Sequence, residues 1–424
     1  EKKMAQKLDL LLKGGHVIDP TNEIDGKYDV GIKHGRIARV ENFIDVAEAE
    51  KSIDVENLVV TPGLIDMHVH AYHTRISKEG NTVGSLHADA HFLKEGVTTC
   101  VDTGTAGAAE MDHFRESVID KSKTRILAYV NISEPGMGDH EQIVGNLNPR
   151  QAAEAASAHD DVVVGIKTAH YWTIEPFNEE HPAWASVDLS VEAAELCMMP
   201  VMVDFWPRPP ERSYQDLILE HLRPGDVHTH VFARQFPVVD ANGNVFDYMR
   251  KARSRGIHFD LGHGAASFWY RNAVPAIHDQ FPPDSISTDL HMGNINGHVH
   301  SMPDTMSKCV AMGMPIQEVV YRSTVTPARA LRRPNLGNLS VGAEADVAVF
   351  GILEGNFCYR DCGWGLLEGK HRFECALTLR SGQVVWDRHG LTCPHFTQAP
   401  EDCGYWDIPE TPVPVPRLWR ADDE

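Results

Sequence analysis

The chain has 424 residues, 42% of them hydrophobic and 23% charged, and a formal charge of −21 with histidine neutral. That length is too great for one small core and suits a barrel of about 250 residues with a smaller domain beside it. The acidic balance argues against nucleic acid and anionic membranes as partners, since both need a basic footprint. No apolar run reaches the roughly 18 residues that suggest a membrane span. The opening EKKMAQKLDLLLKGG lacks the apolar centre and cleavage site of a signal peptide. The eight cysteines form no CxxC pair and read as reduced thiols, so the expectation is a cytoplasmic protein acting on a small molecule.

Residues 7–61 read as short strands, because alternating apolar residues are broken by Gly and Asn turn signals. Gly14-Gly15 and His34-Gly35 are hairpin-turn candidates. From Gly63 the rhythm changes to short apolar strands separated by helical stretches, the signature of a parallel sheet with crossover helices. The strand candidates lie at 63–72, 97–105, 126–133, 162–167, 200–205, 226–232, 257–264 and 285–291. Eight such units match a (β/α)8 TIM barrel, and the lack of a GxGxxG loop after a strand disfavours an open doubly wound sheet. A helix at TPARALRR and a hairpin around Ser381-Gly382 follow. The expected organisation is a small β-sandwich domain from 1–62 plus 325–392, a barrel over 63–324, and a Pro-rich extended tail over 393–424.

Residues 62–72, PGLIDMHVHAY, carry the strongest chemical signal. Strand side chains repeat every two residues, so His68 and His70 share a face and can offer two imidazoles to one metal. A barrel gathers its catalytic groups at the C-terminal ends of its strands. Lys167, Asp204, His230, His263 and Asp289 stand at or near the ends of the fourth to eighth strand candidates. Each alone has an ordinary reading: a snorkelling lysine, a helix cap, a hydrogen-bonded core histidine. Together they point to a metal site, because ionisable groups crowded there are costly unless paired or ligated.

This pattern resembles the amidohydrolase superfamily. The likeness extends to LKEGVTTCVDTGTAG, VVGIK, FDLGHGAASF, STDLHMGNINGHVHSMPDTMSK and GNLSVGAEADVAVF, which are similar to the dihydroorotase-like deacetylase branch. The resemblance implies that His68, His70 and Asp289 hold one divalent metal, zinc first, with manganese or another ion as the alternative. It implies that Lys167 is carboxylated by carbon dioxide and bridges to a second metal held by His230. A metal-activated hydroxide would attack, with Asp289 as general base and then acid. The resemblance also implies a homo-oligomer. The activity implied is hydrolysis of an amide or ester bond in a small N-acyl or O-acyl acid. Alternatives are a cyclic-amide hydrolase of dihydroorotase or hydantoinase type, a lyase or decarboxylase on the same scaffold, and a catalytically weakened barrel with a structural or regulatory role.

One departure matters. The family places a histidine at the end of strand five, where this chain has Asp204. Aspartate is a competent ligand for zinc or manganese and adds negative charge. Two readings stand: a binuclear centre with an unusual ligand, or a mononuclear one. Around the mouth, His263, Gly264, Ser267, His291, Tyr171 and Arg208 are candidate substrate contacts, with Asn294, His298, Trp172 and Trp206 nearby. Arg208 suits a carboxylate through its forked donors.

Overall fold

The computed structural model describes residues 7–75 and 84–399. Five strands open it: β1 Leu8–Asp19, β2 Ile24–Lys33, β3 Arg36–Glu41, β4 Ala49–Asp54 and β5 Val59–Pro62. Seven follow: β6 Leu64–Val69, β7 Val97–Gly107, β8 Arg125–Asn131, β9 Val163–His170, β10 Val201–Phe205, β11 Val227–His228 and β12 His258–Phe259. These are all parallel and pair in chain order. Three more close the described chain: β13 Val347–Arg360, β14 Leu366–Arg380 and β15 Gln383–Asp387.

The fold is α/β. Helices fall in the gaps where helical periodicity was read, among them Pro149–Ala158, Ala185–Leu196 and Met302–Ala311. The expected helix at TPARALRR begins much earlier, as Ile316–Ala330. Its Ala328, with Leu331 and Leu336 beyond it, packs on Ile65, Met67, Leu127 and Met202 of the parallel strands. None of the described helices is long and apolar enough to cross a membrane.

The later strands are shorter than read from sequence. β11 and β12 keep only two residues each, and 285–291 forms no strand. The cause is local: His230, Gly262 and Asp289 have φ of 60°, 49° and 51°, left-handed values that end a ladder. The eighth segment still touches both edges. Ser285 bridges Asp260 beyond β12 and Leu290 bridges Val69 of β6, both in parallel sense. The Asp289 N–H donates to His68 O at 2.6 Å, and the His70 N–H to Leu290 O at 3.1 Å.

The two chain ends do share one sheet, since Val347–Phe350 pair antiparallel with Val59–Pro62. Its order is β15-β14-β13-β5-β1-β2-β3, with β4 also on β1. The strands are hydrogen-bonded as one continuous sheet and not as two, and side chains from across it, among them Val17, Ile32, Val349 and Leu377, share one core. Gly14-Gly15 is not a hairpin turn. It is a register shift inside β1, which lets β1 pair first with β4 and then with β5. Gly14 has φ of 79°, a conformation that glycine adopts without strain. His34-Gly35 and Ser381-Gly382 are turns as read, all four residues having positive φ.

The cysteines within the described residues are all free thiols. The tail expectation lies outside the described residues from 400 onward; before that, Phe396–Gln398 form a single 3-10 turn.

Glu95 is buried, and one oxygen accepts the Met302 N–H at 3.2 Å. Burial pushes its carboxyl from 4.5 up to about 8. The folded state therefore holds this proton more tightly than the unfolded chain. The stability it contributes is present below about pH 4.5 and is lost as pH rises through about 8. Glu95→Gln is expected to be more stable than the wild type at pH 9 and to have a flatter stability profile, read by urea unfolding across pH.

Candidate metal centre

His68 and His70 stand at the end of β6 with their Nδ1 atoms on the hydroxyls of Thr229 and Thr105, each at 2.8 Å. The Thr229 hydroxyl donates to Asp260 Oδ2 at 2.7 Å. It must then accept from His68 Nδ1–H, which leaves a lone pair on Nε2. Burial, helped by the charge of Lys167, lowers the His68 pKa to about 4, so the ring is in its neutral, metal-binding form. The Nε2 atoms of His70 and His68 lie 3.1 and 3.6 Å from Asp289 Oδ1. One ligand atom from each of the three residues falls within 4.8 Å of the others.

Asp289 is held from several sides. Asn294 Nδ2 donates to its carbonyl at 2.6 Å. The preceding Thr288 donates its N–H and hydroxyl to Asp66, at 3.1 and 2.5 Å, so β6 grips the segment that carries Asp289. Burial raises the Asp66 carboxyl to about 7. Burial also acts to raise Asp289, but the facing imidazoles of His68, His70 and His230 outweigh it and hold that carboxyl well below the usual range.

A second set adjoins the first, with the His68 and His230 rings 4.9 Å apart. His230 Nδ1 lies 2.5 Å from Gly262 O, which can only accept, so Nδ1 carries a proton; Nε2 is 3.4 Å from Asp204 Oδ2, and although burial acts to lower the His230 pKa, that carboxylate raises it. Gly262 allows this approach, since a Cβ there would sit 2.7 Å from His230 Nδ1. Lys167 is buried, and burial lowers its amine pKa despite the nearby carboxylates of Asp204 and Asp289. Gly104 makes room for its stem, because a Cβ there would lie 2.7 Å from Lys167 Cβ. Asp204 Oδ2 accepts the Tyr171 hydroxyl, while its buried Oδ1 has no hydrogen-bond partner. Burial acts to raise its pKa, but His230 and Lys167 bring it down to about 2.

These residues fit a divalent cation. Oriented imidazole nitrogens face carboxylate oxygens, a donor set that zinc and manganese accept. An unpartnered buried carboxylate oxygen costs roughly 1–3 kcal/mol or more, and a cation removes that cost.

Other candidates occupy different places. Gly264 lies against the site: its φ is 60°, and a Cβ would meet Asp289 Oδ2 at 2.7 Å and the side chain of Ser267 at 3.3 Å. The His291 ring is 6.1 Å from that of His70, and the His291 backbone N–H donates to Asn294 Oδ1 at 3.0 Å. His263 is buried, with Nε2 2.8 Å from Lys308 Nζ. Arg208 is occupied by the carbonyls of Trp172 and Glu175 and lies over the Phe177 ring. Trp172 stacks on His181 at 3.6 Å.

Sequence reasoning missed two supports. Asp260 accepts from Thr229, Ser285 and Ser287; a carboxylate inside the apolar run IHFDLG was the available signal. Arg212, fully buried, donates to the carbonyls of Tyr171 and Trp206 at 2.8 and 2.6 Å. It ties the ends of β9 and β10 together and keeps Tyr171 beside Asp204. The Trp206 side chain is only partly buried.

The chain matches the amidohydrolase family over residues 59–176 and 270–364. It is 30% identical to a deacetylase of Agrobacterium fabrum over 352 residues, covering 80% of this chain and 82% of that one. It is 30% identical to a deacetylase of Enterococcus faecalis over 383 residues, covering 89% and 98%. A crystal structure of an adenine deaminase superposes with a TM-score of 0.80 at 27% identity, covering 90% of this chain and all of the other. A dihydroorotase structure gives 0.77 at 27% identity, covering 89% and 97%. With the profile match and two relatives aligned along most of both chains, this protein belongs to the amidohydrolase family.

Proposed function

We propose that the protein is a metal-dependent hydrolase that removes an acyl group from a small N-acyl or O-acyl carboxylic acid. The observation that carries this reading is the orientation of His68 and His70, whose hydroxyl-anchored Nδ1 atoms leave both Nε2 atoms facing Asp289. The deacetylase names of relatives aligned over most of the chain favour the acyl-acid class. His68, His70 and Asp289 would hold one cation. Asp204, His230 and Lys167 would hold a second, with Lys167 carboxylated by carbon dioxide; its buried amine favours the neutral form that this reaction needs. Bound there, a zinc or manganese ion supplies Lewis acidity and makes water a nucleophile near neutral pH.

The chain's own groups do the rest. Asp289 accepts the proton of the attacking water and passes it to the leaving nitrogen or oxygen. Its Oδ2 faces Gly264, where the missing side chain leaves room. The Tyr171 hydroxyl holds Asp204 in place. The framework for this chemistry is read as a (β/α)8 barrel over 63–324, closed by 285–291, with the chain-end sheet packed beside it.

The test is turnover by the zinc- or manganese-loaded protein across a panel of N-acyl acids, O-acyl acids and cyclic amides. Hydrolysis of an acyl acid is expected. Turnover of cyclic amides alone would replace the reading with the dihydroorotase-like one, and turnover of neither class would remove it.

A further inference from the structure

A second cluster of ligating side chains takes no part in this centre. His263 follows β12, His298 comes nine residues after Asp289, and Cys362 sits at the tip of the β13–β14 hairpin. The tip is fixed in place. Asp361 accepts the N–H groups of Gly363, Gly365 and Tyr270 at 2.8, 2.6 and 2.9 Å, and the Cys362 N–H donates to Phe268 O at 3.0 Å. Cys362 Sγ lies 3.2 Å from His298 Nε2 and donates to Gly264 O at 3.4 Å. One ligand atom from each of His263, His298 and Cys362 lies within 4.8 Å of the others.

We propose that His263, His298 and Cys362 form a separate cation site that takes a thiophilic divalent ion, Zn²⁺ or Cd²⁺. One thiolate and two imidazoles suit such ions and leave a coordination position open. His263 is buried. His298 also borders a cavity of about 380 Å³ lined with His300, Asp304 and Arg360. On binding, the Cys362 thiol loses its proton to solvent and its hydrogen bond to Gly264 O. Lys308 releases His263 Nε2 and keeps the carbonyl of His298. No electron moves. The site touches the first centre through Gly264, whose carbonyl meets Cys362 and whose Cα faces Asp289. An ion held there bears on the peptide that packs against the catalytic carboxylate.

The experiment titrates the manganese-loaded full chain with Cd²⁺, manganese being too hard an ion to compete for the thiolate, and follows thiolate-to-cadmium absorption in the ultraviolet. The first centre contains no thiol, so its occupancy, and the function assigned to it, do not affect the readout. About one equivalent of the absorbing species per chain is expected. It should vanish in Cys362→Ser, and cadmium should bind at least ~10-fold more weakly in His298→Ala, a change at a half-buried position. Three results would overturn the proposal: no thiolate absorption in the wild type, absorption that survives in Cys362→Ser because exposed Cys358 or Cys393 supplies it, or unchanged affinity in His298→Ala.

Discussion

Asp289→Asn is expected to lower kcat/KM on the best acyl-acid substrate by about 10³-fold, with most of the loss in kcat. The amide keeps the shape of the side chain but loses its charge and the lone pair that accepts the proton. Oδ1 is the oxygen turned toward His68 and His70, so the variant should also hold its metal more weakly. Steady-state kinetics at saturating metal separates the two effects. If restored occupancy restores the rate, Asp289 is only a ligand; a persistent loss assigns it the proton transfer. The backbone at 289 should tolerate the change, since Asn also adopts positive φ readily.

Lys167→Met is expected to remove one bound ion per chain and to lower turnover by at least ~10²-fold. Methionine approximates the length of the lysine stem and fits the space left by Gly104. It cannot take up carbon dioxide or bridge two ions. If Lys167 were only a buried amine, the exchange would leave the metal count alone and would be neutral or stabilising, because an apolar side chain avoids its desolvation cost. Metal content and thermal midpoint measured on the same sample tell these outcomes apart.

The ends of the parallel strands were legible because their chemistry contradicts their surroundings. His68, Lys167, Asp204 and Asp289 are ionisable residues in apolar stretches, and the structure brings all four to one place. Asp204 stood out for the same reason, as an aspartate inside the run VMVDF. What stayed hidden depends on backbone conformation and on distance along the chain. The positive φ at His230, Gly262 and Asp289 turns extended segments into short ones, and residue type alone does not forecast it. Gly14-Gly15 looks the same in sequence whether it is a hairpin turn or a shift between two partner strands. Arg208 and Arg212 flank the same Pro-rich turn, and only the fold shows that Arg212 is the buried one. Thr229, Asp260 and the Ser285–Ser287 hydroxyls are ordinary polar residues until their chain of hydrogen bonds is seen to set the His68 tautomer.

The central claim is that His68, His70 and Asp289 grip a divalent cation. Metal analysis of the purified full chain, beside His70→Ala, tests it most directly. The account predicts at least one tightly held ion per wild-type chain and the loss of at least one equivalent in the variant. A wild type without stoichiometric metal after growth and dialysis with zinc or manganese, or a His70→Ala chain with an unchanged count, would contradict it.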